Sequence, residues 1–128
     1  MGANADVVKS FWEAFGRRDF DDAISNVGNE AEIVVPETVP WGGAYRGPEG
    51  FREMMQGVTG TFEEFRPQPE AFIEAEGDNV VVPVNVQGRG KSGRDFTGRA
   101  LWLYRLSDGK IARAEVFLDT ARARDAVG

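Results

Sequence analysis

The chain holds 128 residues with a net charge of −6, no histidine and no cysteine. Without those two residue types there is no Ser-His-Asp triad, imidazole shuttle, thiolate nucleophile, disulfide or zinc ribbon, so acid–base chemistry falls to Asp, Glu, Tyr, Lys or Arg. The acidic balance argues against nucleic acid as a partner, and the length fits a single domain, residues 1–128, with a core of its own.

Val7, Val8, Phe11, Trp12 and Phe15 recur at helical spacing as one broad apolar stripe, which Gly16 ends. Asp19 caps a second short helix running through Ile24, with Asp21 and Asp22 in the first turn where the helix dipole favours them, and Gly28 is expected to end it. Residues 31–36 read as a β-branched strand closed by Pro36. Residues 37–47 read as a loop. It is rich in glycine yet carries Trp41 and Tyr45, the composition of a lid folded over something apolar. Pro48 opens a third helix whose apolar side is Phe51, Met54, Met55 and Val58. Gly57 and Gly60 weaken its end, and Pro67 and Pro69 break the stretch after it.

From there the period changes to two. Residues 71–76, 79–88, 95–106 and 111–119 read as four strands, and Asp108-Gly109 is the strongest hairpin signal in the chain. Residues 120–127, rich in Ala and Arg, read as a short terminal helix. Helices first and an antiparallel meander after predict an α+β fold. Its form is a cone-shaped roll with N-terminal helices packed on the concave face of a curved, mostly antiparallel sheet. Gly88-Arg89-Gly90-Lys91-Ser92-Gly93 spells a dinucleotide-binding motif, but the segment after it is strand-like and supplies no helix N-terminus for a phosphate, so it reads as a hairpin turn. The start of the chain has neither the basic nor the apolar region of a signal peptide, and no apolar run is long enough to span a membrane. The expectation is a cytoplasmic protein without a membrane partner.

Five fragments, in order, carry a resemblance. They are Phe11-Trp12-Glu13-Ala14-Phe15-Gly16-Arg17-Arg18-Asp19-Phe20-Asp21, Tyr45-Arg46-Gly47-Pro48-Glu49-Gly50-Phe51-Arg52, Gly77-Asp78-Asn79-Val80-Val81-Val82, Leu106-Ser107-Asp108-Gly109-Lys110-Ile111, and Glu115-Val116-Phe117-Leu118-Asp119. Over nearly its whole length the chain resembles a nuclear transport factor 2-like domain of the SnoaL-like branch, the ketosteroid isomerase-like fold. The resemblance implies an apolar cavity at the open end of the cone and often a dimer. The superfamily holds isomerases, polyketide cyclases, epoxide hydrolases, dehydratases and non-catalytic binding modules, so it specifies fold better than function. Carried over residue by residue, the ketosteroid isomerase roles fall on Phe11, Trp102 and Val35 or Pro36, none of which transfers a proton. The epoxide hydrolase relay falls on Pro83, Asn85 and Val116, and is absent as well.

Strand parity sorts the remaining candidates. With Trp102 facing the cavity, Ala100 and Tyr104 do so too, as do Ala112, Ala114, Val116 and Leu118 on the last strand. Pro83, Asn85 and Gln87 are expected to face inward from the strand before. That leaves Val80, Val82, Val84 and Val86, with Leu101, Leu103 and Phe117, as an outward apolar surface that a homodimer through the convex sheet would cover. Asn85, Gln87 and Tyr104 are then candidate hydrogen-bonding groups for a carbonyl oxygen, and Glu37, turned inward, a candidate proton carrier. Phe11, Trp12, Phe15, Trp41, Tyr45, Met54, Met55, Trp102, Val116 and Leu118 are candidate pocket wall. Each has a plainer reading beside it: amides that satisfy one another, aromatic rings that are ordinary core, and an exposed loop carboxylate at Glu37. Asp119 lies close to where the resemblance to SnoaL-type polyketide cyclases implies an acid–base Asp, but parity points it outward and it reads as a cap of the terminal helix. No cluster has metal-ligand spacing and no cofactor signature stands, so neither a metal nor a cofactor is expected. Two functions remain open. One is a cofactor-independent isomerase, cyclase or dehydratase acting on a hydrophobic, carbonyl-bearing small molecule; the other is a non-catalytic ligand-binding or dimerising module.

Overall fold

Helix α1 (Ala3–Gly16) buries Val8, Phe11, Trp12, Ala14 and Phe15, the stripe that its spacing lays on one face. The computed structural model describes residues 3–37 and 41–118, apart from the side chains of Phe96 and Leu118. After α1 the chain turns through Arg18, at a φ of 61°. Asp19 caps α2 (Phe20–Ile24) by accepting the Asp22 N–H at 3.1 Å. That helix ends at Ser25 rather than at Gly28, because β1 (Val27–Val35) begins earlier than its β-branched core suggested, and Gly28 lies within it.

The expected loop at residues 37–47 contains a short strand, β2 (Gly43–Arg46), antiparallel to β1 from Val35 opposite Gly43 to Glu32 opposite Arg46. Gly42 is required at the return: a Cβ there would sit 2.1 Å from the Pro36 carbonyl oxygen. Helix α3 (Gly47–Thr61) starts with proline in its first turn and buries Phe51, Met54, Met55 and Val58. Gly57 and Gly60 do not end it.

Pro67 and Pro69 correct the expectation of a break. They belong to β3 (Phe62–Pro69), paired antiparallel with β5 at an edge of the sheet. An edge strand has one side free of ladder hydrogen bonds and tolerates proline there. The rest is the meander expected, with β4 (Ile73–Ala75), β5 (Asn79–Gly90), β6 (Asp95–Ser107) and β7 (Lys110–Leu118). Asp108 and Gly109 both take positive φ, 52° and 76°, as a two-residue hairpin turn requires. The glycine-rich segment at residues 88–93 lies in the β5–β6 hairpin, and a strand comes after it.

The strands form one curved, unclosed sheet in the order β2-β1-β7-β6-β5-β3, with β4 also beside β5. Among the described strand pairs, only β1–β7 is parallel. The helices pack on the inner face, giving the α+β roll that the order of elements predicts. Residues 119–127, expected from sequence to hold a cap and a terminal helix, lie outside the described residues, as do 38–40. Among the described residues, no helix is long and apolar enough to cross a membrane.

Candidate functional site

Cross-strand partners share a face, so register decides what the inner surface carries. Val82 lies opposite Trp102, which lies opposite Val116; Val80 lies opposite Tyr104, which lies opposite Ala114. All of these except Trp102, which is half-buried, are buried. This reverses the parity expected of β5. Val80, Val82, Val84 and Val86 point inward, and the face of Pro83, Asn85 and Gln87 is the outer one. Asn85 is half-buried and Gln87 exposed, and neither lines the cavity. The physical reason is in the strand itself: the four alternating valines are the apolar half of its pattern, and they are the half that folding buries.

Between the helices and this inner face lies an apolar cavity with about 80 Å³ of space open to the centres of water-sized molecules. Helix α1 supplies Phe11, Trp12 and Phe15, and α3 supplies Met54, Met55 and Val58. The sheet supplies Val84, Val86, Gly98, Ala100, Trp102, Tyr104 and Val116. The edge strand β3 adds Phe62, Phe65 and Pro67, and Trp41 comes from the loop before β2. Of the pocket residues expected from sequence, Tyr45 is not in the lining. It is half-buried, and its hydroxyl donates to the Trp41 carbonyl at 2.6 Å, which ties the Trp41 loop to β2. Burial and the nearby Glu53 push the Tyr45 hydroxyl up from its ordinary range. The Leu118 side chain is outside the described residues. Phe62, Phe65 and Pro67 are not legible as pocket wall from sequence because the prolines disguise the strand that carries them.

The aromatic rings are arranged as a frame. Trp102 and Tyr104 are stacked at 5.7 Å with 15° between planes, Trp12 meets Trp102 edge-on at 5.9 Å, and Phe11 leans on Tyr104 at 6.2 Å. Elsewhere in the lining, Phe62 and Phe65 stack at 5.4 Å and Trp41 meets Phe62 edge-on at 5.2 Å. Arg18 clasps that side. Its guanidinium donates to the Phe65 carbonyl at 2.6 Å and to the Phe15 carbonyl at 3.1 Å, and lies 5.4 Å from the Phe15 ring centre.

Two polar atoms lie buried behind the apolar surface. The Trp12 indole N–H and the Tyr104 hydroxyl are buried beside each other, too poorly aligned for a well-formed hydrogen bond, and neither has another partner. Burial pushes the Tyr104 hydroxyl well above the ordinary tyrosine range, and the neighbouring Trp12 N–H offsets part of that rise. Tyr104 is therefore a neutral donor across the physiological range. Glu37, the expected proton carrier, is outside the lining, in the turn after β1, because the chain leaves the sheet there. Among the described residues, the one charged residue that borders the cavity is Arg99, whose guanidinium is exposed and paired with Glu70 at 3.1 Å. No carboxylate among the described residues lines the cavity.

Solved structures repeat this architecture. A nuclear transport factor 2-like protein of unknown function from Burkholderia pseudomallei is 25% identical, with a TM-score of 0.91 over 99% of this chain and 98% of that one. TerC, co-crystallised with polyporic acid, is 26% identical, with a TM-score of 0.89 over 98% of each chain. A protein of ketosteroid isomerase-like fold from Catenulispora acidiphila, in complex with trimethylamine, shares the fold at 15% identity, with a TM-score of 0.81 over 95% of this chain and 92% of that one. No curated protein matches the chain. The SnoaL-like domain family matches residues 8–114, nearly the whole span from α1 to β7, and the chain belongs to that family.

Proposed function

We propose that this domain binds a hydrophobic, carbonyl-bearing small molecule in the cavity of its cone. The observation that carries the reading is the lining itself, an aromatic and aliphatic wall with a neutral tyrosine hydroxyl buried in it and no carboxylate among the described residues. Such a surface gains from burying apolar rings and offers a carbonyl oxygen a donor, while among the described residues it holds no group suited to taking a proton from carbon. Binding is thus favoured over carboxylate-driven isomerisation or cyclisation. TerC, 26% identical and co-crystallised with polyporic acid, supports a small organic ligand for this fold.

Gly98 offers the test. It lines the cavity, and a Cβ added there meets nothing within 4 Å, so a branched side chain projects into ligand space without displacing the core. All three tryptophans of the chain line the cavity and report on it by fluorescence. Titration with 1-indanone is expected to quench that fluorescence saturably in the native chain, and Gly98→Ile to abolish the saturable part while leaving thermal stability in place. Quenching that is unchanged in Gly98→Ile would remove the cavity as the site.

The second partner in this reading is another copy of the chain, bound through the outer face of the sheet. Ile73, Leu101 and Phe117 are 50%, 42% and 50% exposed, and all three lie on that face, around Val81, Pro83 and Leu103. The valines expected there are inside, so the surface that a homodimer would cover is this smaller group.

A further inference from the structure

We infer that Tyr45 is a positioning residue for the cavity: its hydroxyl holds the Trp41 loop so that the Trp41 ring stands as a wall against the ligand. The inference rests on the proposed ligand-binding reading and adds to it how the loop-borne part of the site is kept in place. Among the described residues that line the cavity, Trp41 is the one outside a helix or strand. The β1–β2 ladder stops short of it, at Val35 opposite Gly43. The Trp41 ring meets Phe62 edge-on at 5.2 Å, and its Cβ lies beside Gly57 of α3, where an added methyl would be in ordinary contact at 3.7 Å. Apolar contacts of this kind are non-directional and set no orientation for the loop backbone. The Tyr45 hydroxyl does set one, by donating to the Trp41 carbonyl at 2.6 Å.

Tyr45 is itself firmly placed. In the ladder it lies opposite Ile33 of β1, which is fully buried. The backbone of α3 passes close on another side: a Cβ added at Gly50 would lie 3.1 Å from the Tyr45 carbonyl carbon and 3.3 Å from the Tyr45 Cβ. A hydroxyl on so fixed a base carries the position of the sheet and of α3 out to the loop. A wall held in place before the ligand arrives loses little freedom on binding, and without the tie the ligand must supply that ordering.

The test measures 1-indanone affinity by calorimetry in the native chain, Tyr45→Phe, Trp41→Ala and the double variant. Tyr45→Phe keeps the ring and removes the tie. It is expected to weaken binding by roughly threefold to tenfold, the yield of one net hydrogen bond. In the Trp41→Ala background the same change should alter affinity by less than about twofold, because no ring is left to position. Equal losses in both backgrounds, or unchanged affinity in Tyr45→Phe, overturn the positioning role and leave the cavity intact as a site. A native chain that does not bind 1-indanone overturns the ligand-binding reading and the positioning role with it. A second readout uses no ligand. In chain labelled with 5-fluorotryptophan, Tyr45→Phe should shift or broaden the Trp41 fluorine resonance, assigned through Trp41→Phe, and leave those of Trp12 and Trp102 in place. An unmoved Trp41 resonance, or equal movement of all three, overturns the positioning role.

Discussion

The two faces of the same central strands differ in kind. On the inside, β5, β6 and β7 present Val80, Val82, Val84, Ala100, Tyr104, Ala114 and Val116, all buried, with Trp102 half-buried beside them and one buried hydroxyl, that of Tyr104, without a well-formed hydrogen bond. On the outside, the intervening residues present Leu101 and Phe117 half exposed, beside Arg113, which pairs with Glu32 across to β1 and lies 3.7 Å from Glu115. The inner face has its apolar surface covered and one hydroxyl poorly satisfied; the outer has ion pairs at Arg113 and Arg99 and an apolar group left uncovered. A strand's two-residue alternation lets one stretch of chain carry both demands, provided that changes on one face leave the other alone.

The sharpest way to break that separation is to charge the outer face. Phe117 lies directly opposite Leu101 in the β6–β7 ladder, so Phe117→Asp places a carboxylate in the middle of the exposed apolar group. In a two-fold dimer the change occurs twice, and the paired charges are expected to weaken association by roughly a hundredfold or more. Sedimentation velocity at micromolar concentration should show a dimer for the native chain and a monomer for the variant, with affinity for 1-indanone unchanged in both. A native monomer under those conditions would end the dimer proposal, and a variant that lost ketone binding would show the faces to be coupled.

How much of this was legible in the sequence depends on which signal was strong. The helical stripe of Val8, Phe11, Trp12 and Phe15, the Asp19 cap and the Asp108-Gly109 turn are local instructions, and each element formed where it was expected. The sense of β5 was also written locally, in the alternation of Val80, Val82, Val84 and Val86, but reading its parity from an assumed register displaced it by one residue and turned every side chain over. Phe62 and Phe65 were hidden for another reason. Pro67 and Pro69 forbid a central strand, and only tertiary placement at the sheet's edge makes that stretch a strand at all. The poor alignment of Trp12 with Tyr104 could not be read from sequence, since it depends on which rings surround them after folding.

A smaller effect tests the inner face through pH. Burial holds the Tyr104 pKa above the ordinary value of 10.0, so between that value and its folded pKa the unfolded chain loses a proton that the folded chain keeps. Stability then falls as pH rises above about 10, by at most about 1.4 kcal/mol per pH unit, and is unaffected by this group below that range. Tyr45 is shifted in the same direction and contributes its own share, so the diagnostic quantity is the difference between the native chain and Tyr104→Phe. Urea unfolding from pH 8 to 11 should show a shallower alkaline decline in the variant. At neutral pH the variant should be equal to or more stable than the native chain by up to about 1 kcal/mol, because it removes a buried hydroxyl that has no well-formed hydrogen bond. Parallel declines would mean that the hydroxyl is reached by water.

The smallest expected effect separates the two faces most directly. Asn85 sits between Val84 and Val86 in sequence and opposite Arg99 in the ladder, on the outer side, while both valines line the cavity. Asn85→Ala is expected to leave ketone affinity unchanged within about twofold and to shift stability by no more than about 0.5 kcal/mol, the range for a substitution away from core and partners. A loss of ligand affinity as large as that of Gly98→Ile would require β5 to be turned over. That would put the four valines on the outer face, and with them an apolar surface far larger than Ile73, Leu101 and Phe117 make. Measuring Asn85→Ala beside Gly98→Ile therefore tests the assignment of both faces at once, since one strand cannot present both sets of residues to the same side.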